Sequence, residues 1–167
     1  MSEFAMPEKN VEHRDRGALE FRKLSREQTN GLAELFIALA QDPDSVHFHP
    51  HPFTLEEAQQ LGSYEGKDLY YVAVCRGLVQ AYGMLRGWDE GYEVPSLGIA
   101  VHPEFRGMNL GETMTRFLHS SARQRGARSV RLKVYSQNIA ARSLYEKIGY
   151  QFKGEERGQI VGMFELK

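Results

Sequence analysis

The sequence of 167 residues is short of the things that mark several protein classes. It has one cysteine, Cys75, so an internal disulfide framework is excluded, as is any multi-cysteine zinc or iron–sulfur site. No run of eighteen apolar residues occurs; the longest, Leu69 to Cys75, has the length of a strand. The first seventeen residues mix Glu, Lys, Arg, His and Asp and lack the apolar core of a signal peptide, so the reading is soluble and cytoplasmic, with no membrane partner. There is no excess of charge: 21 Lys and Arg face 22 Asp and Glu, which argues against a dedicated nucleic-acid binder. Repeats and low-complexity segments are also missing.

Hydrophobic residues at 41% and charged residues at 26% are ordinary for a globular chain, and the length suits one domain with one real core. Residues 1–17 read as a flexible arm and 18–167 as the single domain. The periodicity alternates between 2 and 3.6. Leu19 to Leu24 alternates as a strand; Leu32, Leu35, Phe36 and Leu39 then recur at helical spacing behind Ser25, a residue suited to capping. Thr54 with Glu57 has the spacing of a capping box ahead of Ala58 and Leu61. Leu69–Cys75 and Leu78–Arg86 read as a hairpin about Arg76-Gly77, and Pro95–Val101 as another strand. Leu110, Met114, Phe117, Leu118 and Ser121 give a helix face that Gly126 closes. Val130–Tyr135 reads as a strand, and Ala141, Leu144, Tyr145 and Ile148 as a helix ending at Gly149. Two last strands run around Gly154 and Gly158. The expected order, β-α-α-β-β-β-α-β-α-β-β, implies an α/β chain of the α+β mixed kind, its sheet flanked by helices on both faces.

The segment Arg106-Gly107-Met108-Asn109-Leu110-Gly111 lies between a strand and an amphipathic helix. Backbone N–H groups at a helix start have no intrahelical partner and favour an anion, and glycines let a phosphate approach. A pyrophosphate fits such a turn, with Arg106 beside it; an ordinary strand–helix bend uses the same glycines. The segment ends in neither the Gly-Lys-Ser/Thr of a nucleotide loop nor a Gly-x-Gly-x-x-Gly fingerprint.

These residues resemble the acetyl-CoA signature of the GCN5-related N-acetyltransferase (GNAT) superfamily, Arg/Gln-x-x-Gly-x-Gly/Ala. Arg106 and Gly111 match its ends, while Asn109 stands at the central glycine. Asn is among the residues that tolerate a left-handed backbone. A second block, Leu132 to Tyr150 with Asn138, Tyr145 and Gly149, is similar to the family's strand–Asn–helix–Tyr–Gly–aromatic segment. The resemblance covers about Pro95 to Gly154. It implies a mostly antiparallel sheet of six or seven strands, with a V-shaped cleft between the fourth and fifth.

It further implies acetyl-CoA as acyl donor and direct transfer to an amine, with no metal. The backbone of Ile99, Ala100 and Val101 would bond the pantetheine arm. The N–H groups of Gly107, Met108, Asn109, Leu110, Gly111 and Glu112 would hold the pyrophosphate. Asn138 would bond the arm through its amide, and it also suits a helix N-cap. Tyr145 is the candidate general acid for the departing thiolate, since a phenol stays protonated at neutral pH. Where ribosomal-protein acetyltransferases of the family have a Glu base, this chain has Lys133. The carboxylates left near the cleft are Asp89, Glu90 and Glu93, with Glu93 the choice for base.

His47, His49 and His51 alternate in a Pro-rich loop that borders the acceptor pocket in the family. Substrate contact or proton transfer by one of them suits that position better than a metal. Arg86 to Gly98, with two aromatics and three carboxylates, resembles a segment of GNAT proteins of surface-polysaccharide synthesis, which points to an amino sugar or another small-molecule or peptide amine. Cys75 reads as a small buried residue and not as an acyl carrier. Two alternatives stay open: a non-catalytic acyl-CoA-binding module, and an enzyme for longer acyl chains. Homodimers are common in such families.

Overall fold

The computed structural model describes residues 17–48 and 50–167. The expected arm, residues 1–17, falls outside them except for Gly17, and His49 and the side chain of His47 fall outside too. The described residues form β1 (Leu19–Lys23), α1 (Thr29–Gln41), α2 (Leu55–Gly62), β2 (Leu69–Cys75), β3 (Leu78–Arg86), β4 (Ser96–Val101), α3 (Leu110–Gln124), β5 (Ser129–Tyr135), α4 (Ile139–Ile148), β6 (Gln151–Glu156) and β7 (Gln159–Glu165), in the order the periodicity gives. A one-turn helix, Pro43–His47, follows α1 in a stretch read only as turn and loop. Among the described residues no helix is long and apolar enough to cross a membrane.

The strands make one sheet in the order β1-β2-β3-β4-β5-β7-β6. All neighbours are antiparallel except β4 and β5, which run parallel and pair only at Ser96 and Arg131. Alternation along the strands feeds two cores. Tyr70, Val72, Val74, Tyr82 and Met84 turn to the face covered by α1 and α2. Leu69, Ala73, Ala81, Leu85 and Leu97 turn to the face covered by α3 and α4, where Met114, Leu118 and Ala122 meet Val130, Leu132 and Val134. A bulge opposite Ala73 and Val74 inserts Gln80 and keeps both faces of β3 in phase, since Val79 pairs with Val74 and Ala81 with Ala73.

The ends differ from the sequence reading in small ways with local causes. Ser25 makes the full capping box, with Gln28, ahead of a one-turn helix at Arg26–Gln28. Thr54 accepts from the Glu57 N–H at 3.1 Å as the pattern requires, but no return bond from Glu57 accompanies it. The β6–β7 turn is formed by Arg157 and Gly158, both at positive φ, whereas Gly154 sits inside β6 where the register shifts.

Candidate active site

After Ser96 the parallel strands part, and a cleft of about 780 Å³ opens between β4 and β5. The edge of β4 from Leu97 to Val101 forms one wall, so Ile99, Ala100 and Val101 all line it. Their other edge is paired with Gly83, Tyr82 and Ala81 of β3. Lys133 and Val134 of β5 and Asn138, Ala141, Leu144 and Tyr145 at α4 form the opposite wall.

The turn before α3 closes one end. Asn109 has φ 61° and ψ 16°, so the residue standing at the central glycine takes the left-handed conformation that a glycine would take there. Its side chain makes no capping bond, and the first bond back into the turn is the Thr113 N–H to the Asn109 carbonyl at 3.0 Å. The N–H groups of Leu110, Gly111 and Glu112 precede it at the positive end of the helix dipole. A Cβ on Gly111 would lie 3.1 Å from Leu144 Cδ2 and 3.5 Å from Ile99 Cδ1, so glycine keeps the passage between α3, α4 and β4 open. Met108 does not line the cleft and is partly exposed.

Arg106 lines the cleft but is tied to the chain after α1. Its Nη1 lies 2.7 Å from Asp42 Oδ2, and its Nη2 donates to Ser45 Oγ at 3.0 Å. The Ser45 hydroxyl, together with Arg106, holds the Asp42 carboxyl below its ordinary value. Glu112 is likewise held low by Lys147 at 2.8 Å and by Arg116 at 2.9 Å. Lys147, absent from the sequence reading, is thus a second cation at the turn; 35 positions separate it from Glu112, and no local pattern announces the pair.

Tyr145 is 7% exposed yet lines the cleft, and burial alone pushes its hydroxyl well above the ordinary phenol value. No hydrogen bond engages that hydroxyl among the described residues. The ring packs edge-on to Tyr150 at 5.4 Å, and the Tyr150 hydroxyl meets His119 Nε2 at 2.7 Å. Asn138 is the N-cap of α4, its Oδ1 accepting from the Ala141 N–H at 3.2 Å, which leaves its amide N–H₂ to donate into the cleft.

A second cleft of about 1220 Å³ meets the first at Phe48, Leu97, Gly98 and Lys133. Glu93 and Glu90 line this second cleft, and Glu93 is exposed. Asp89 does not line it: its carboxylate accepts from the Lys67 N–H at 2.8 Å and from the Tyr64 hydroxyl. Asp68, buried nearby, accepts from the N–H groups of Gly87, Trp88 and Asp89 at 2.9, 2.8 and 3.3 Å. The loop is therefore fixed at its base, with Arg125 lying 5.0 Å over the Trp88 ring. On the far side Glu156 binds Lys133 at 2.7 Å and Arg131 at 2.9 Å, and those cations hold it below its ordinary value. Sequence reasoning missed both Asp68 and Glu156, because each acts across some twenty residues or more.

His51 lines neither cleft. Its ring lies among Phe36, Phe53 and Tyr82, with Nδ1 2.9 Å from the Pro52 carbonyl and Nε2 3.1 Å from the Tyr82 hydroxyl. A carbonyl only accepts, so Nδ1 carries the proton and Nε2 accepts from Tyr82; burial lowers the pKa and keeps the ring neutral. Of the three histidines from which the sequence reading expects one substrate contact, His51 is thus engaged in packing, while the side chains of His47 and His49 lie outside the described residues. Among the described residues no three His, Cys, Asp or Glu side chains gather as a metal site would require. Cys75 is buried at 6% exposure and lines neither cleft.

Comparison with known proteins gives a consistent picture. Residues 32–150 match the model of the acetyltransferase (GNAT) family. An acetyltransferase of Sodalis glossinidius is 29% identical over 86 residues, covering 52% of this chain and 59% of that protein. One of Pectobacterium atrosepticum is 30% identical over 84 residues, 50% and 58% of the two chains, so the match spans less than two thirds of either relative. A Bacillus subtilis protein named as a putative ribosomal protein bS18-alanine N-acetyltransferase is 42% identical over 105 residues, 57% of this chain and 70% of that one. The GNAT domain of S. lividans PAT superimposes with a TM-score of 0.78 at 16% identity, covering 92% of this chain and 93% of that one. PaiA N-acetyltransferase from Thermoplasma acidophilum, in complex with coenzyme A, gives 0.71 at 17% identity, with 89% and 99% covered.

Proposed function

Since the chain belongs to the acetyltransferase (GNAT) family, we propose that it is an N-acetyltransferase that takes the acetyl group from acetyl-CoA and passes it directly to a primary amine. The observation that carries this reading is the coincidence in one cleft of three features: the open edge of β4, the uncapped start of α3 and the buried hydroxyl of Tyr145. The fit to the donor is supported by the left-handed Asn109 and by the passage that Gly111 keeps clear.

When bound, acetyl-CoA supplies a thioester whose carbonyl carbon accepts the amine. Ile99, Ala100 and Val101 bond the pantetheine amides through their backbone, as an added strand would. Leu110, Gly111 and Glu112 hold the pyrophosphate through N–H groups, with the preceding Gly107, Met108 and Asn109 shaping the turn and Lys147 adding positive charge. Asn138 donates to the arm through its amide while still capping α4. The second cleft receives the acceptor, a small amine such as an amino sugar. Glu93, directly or through one water, takes the proton that the ammonium must lose before attack. The N–C bond forms as the C–S bond breaks, Tyr145 gives its proton to the leaving sulfur, and the second proton shed by the new amide nitrogen returns through water to the Tyr145 oxygen. Burial keeps Tyr145 protonated, and the same apolar surroundings raise the affinity of a thiolate for that proton.

A thermal-unfolding titration with acetyl-CoA, CoA and ATP tests the donor site. A ligand specific for the folded state adds about 2.7 kcal/mol at one hundred times its Kd, a rise of roughly 5–10 °C for a chain of this size. Acetyl-CoA and CoA are expected to give that rise and ATP is not. No rise with millimolar acetyl-CoA sinks the reading.

A further inference from the structure

The second cleft carries more positive charge on one side than amine acetylation itself calls for. That side, built from β5 and the β6–β7 turn, presents Arg131, Lys133 and Arg157 against one carboxylate, Glu156. Glu156 engages Arg131 with one oxygen and Lys133 with the other, so a single negative charge answers two cations. Arg157 has no ion pair among the described residues. Arg86, also in this cleft, donates to the Pro50 carbonyl at 3.3 Å and likewise has no ion pair among them. The Arg131 Nε is shut off from solvent and finds no hydrogen-bond partner among the described residues, although buried N–H groups are nearly always paired. The loop side is opposite in sign, with Glu90 and Glu93.

A cleft with a cationic wall and an acidic loop is complementary to a molecule with an anion at one end and an amine at the other. Guanidinium groups match carboxylate and phosphate oxygens with paired hydrogen bonds, which an uncharged amine cannot use. We propose that the acceptor is a small primary amine carrying a carboxylate or phosphate group, the anion held by Arg131 and Arg157 and the amine turned toward Glu93. The inference rests on the acetyl-transfer reading and deepens it. Lys133 lines both clefts, so the amine end lies at its side, where the clefts join. A neighbouring cation also disfavours the ammonium form and helps supply the neutral nucleophile.

The test uses matched pairs: glucosamine with glucosamine 6-phosphate, and propylamine with β-alanine. Thiol release from acetyl-CoA measures turnover, and calorimetry without donor measures binding of each amine directly. The expected result is a kcat/KM at least tenfold higher, and tighter binding, for the charged member of one pair, and which pair responds separates phosphate from carboxylate. Arg157→Ala, on an exposed turn and so compatible with folding, is expected to shrink that preference severalfold while leaving the melting temperature in place; Arg131→Gln is expected to shrink the preference as well. Equal or better use of the neutral member in both pairs overturns the proposal. So does a preference that survives both variants together, faster use of an alanine-initiated peptide amide, or failure of all four amines to bind. If thiol is released from no amine while the charged one still binds preferentially, the transferase reading fails and the anion site stands.

Discussion

Asp68 and Asp89 fasten each other's chain segments: the Asp68 carboxylate accepts from the Asp89 N–H at 3.3 Å, and the Asp89 carboxylate accepts from the Lys67 N–H at 2.8 Å. The exchange separates carboxylates that look alike in the sequence. Asp89, a candidate base by position, is occupied as a clamp and held below its ordinary value by the Tyr64 hydroxyl and the Lys67 N–H, whereas Glu90 and Glu93 hang from the fixed loop into the second cleft.

Glu93→Gln is therefore expected to lower kcat by about 100-fold, the usual scale of general base catalysis. Asp89→Asn should instead raise KM for the acceptor with little change in kcat. Steady-state kinetics check both; a Glu93→Gln enzyme with an unaltered kcat excludes Glu93 as base. Asp68→Ala leaves three N–H groups without their acceptor and is expected to cost about 3 kcal/mol of stability, read in urea unfolding.

The Tyr145 hydroxyl meets no hydrogen-bond partner among the described residues, and its ring is packed against Tyr150. Tyr145→Phe keeps the packing and removes one proton donor. Stability should change by less than about 1 kcal/mol, acetyl-CoA binding should hold, and turnover should fall about 100-fold or more. An unchanged turnover refutes the acid role, and a collapsed melting temperature reassigns the residue to the core.

The parts of this chain that were legible beforehand are those whose cause is local. Arg76 and Gly77 both take positive φ and turn the β2–β3 hairpin, as Arg-Gly between two apolar runs implies. Gly149, at φ 118°, ends α4 where the helical spacing stops. Asn138 and Asn109 do what their side chains and backbone tolerance suit. What stayed hidden depends on closure of the sheet. The bond of Arg106 to Asp42 and Ser45, the hold of Glu156 on Arg131 and Lys133, and the hub at Asp68 join residues whose spacing carries no periodic signal. The setting of His51 was hidden for the same reason: alternation with proline gives no sign that Tyr82 of β3 lies beneath it.

The turn before α3 makes a graded prediction. At φ 61° Asn109→Gly relieves about 1 kcal/mol of left-handed strain and gives back a similar amount in unfolded-chain entropy, so stability should barely move and acetyl-CoA should bind as before. Asn109→Ala keeps the strain without the side chain's tolerance and should cost about 1 kcal/mol. Gly111→Val drives a branched side chain toward Leu144 and Ile99. It is expected to weaken acetyl-CoA binding more than tenfold, which the thermal titration reads as loss of most of the ligand-induced rise. A Gly111→Val protein that binds acetyl-CoA normally would mean the pyrophosphate lies elsewhere.

His119 gives the chain a pH dependence that can be separated from that of its carboxylates. Burial on α3, with Arg123 and Arg116 near, pushes its pKa down to about 4, while Nε2 meets the Tyr150 hydroxyl at 2.7 Å and the ring stacks on Phe164. The folded protein keeps the imidazole neutral where the unfolded chain, with an ordinary value near 6.5, takes up a proton. Stability is thus complete above about pH 6.5 and falls as the pH drops toward 4, by about 2 kcal/mol between pH 7 and 5 from this one group. His51, also lowered by burial, adds to the same slope. Asp42, Asp89, Glu112 and Glu156 are held below ordinary carboxylate values, so their contribution is present above about pH 4 and disappears only below it. Urea midpoints at pH 7, 6 and 5 should therefore fall for the unaltered protein and fall less for His119→Gln, with the two converging in slope below pH 4. Equal slopes above pH 5 would mean that His119 takes up its proton without unfolding, and the Tyr150–His119–Phe164 packing behind Tyr145 would have to open at a cost too small to measure.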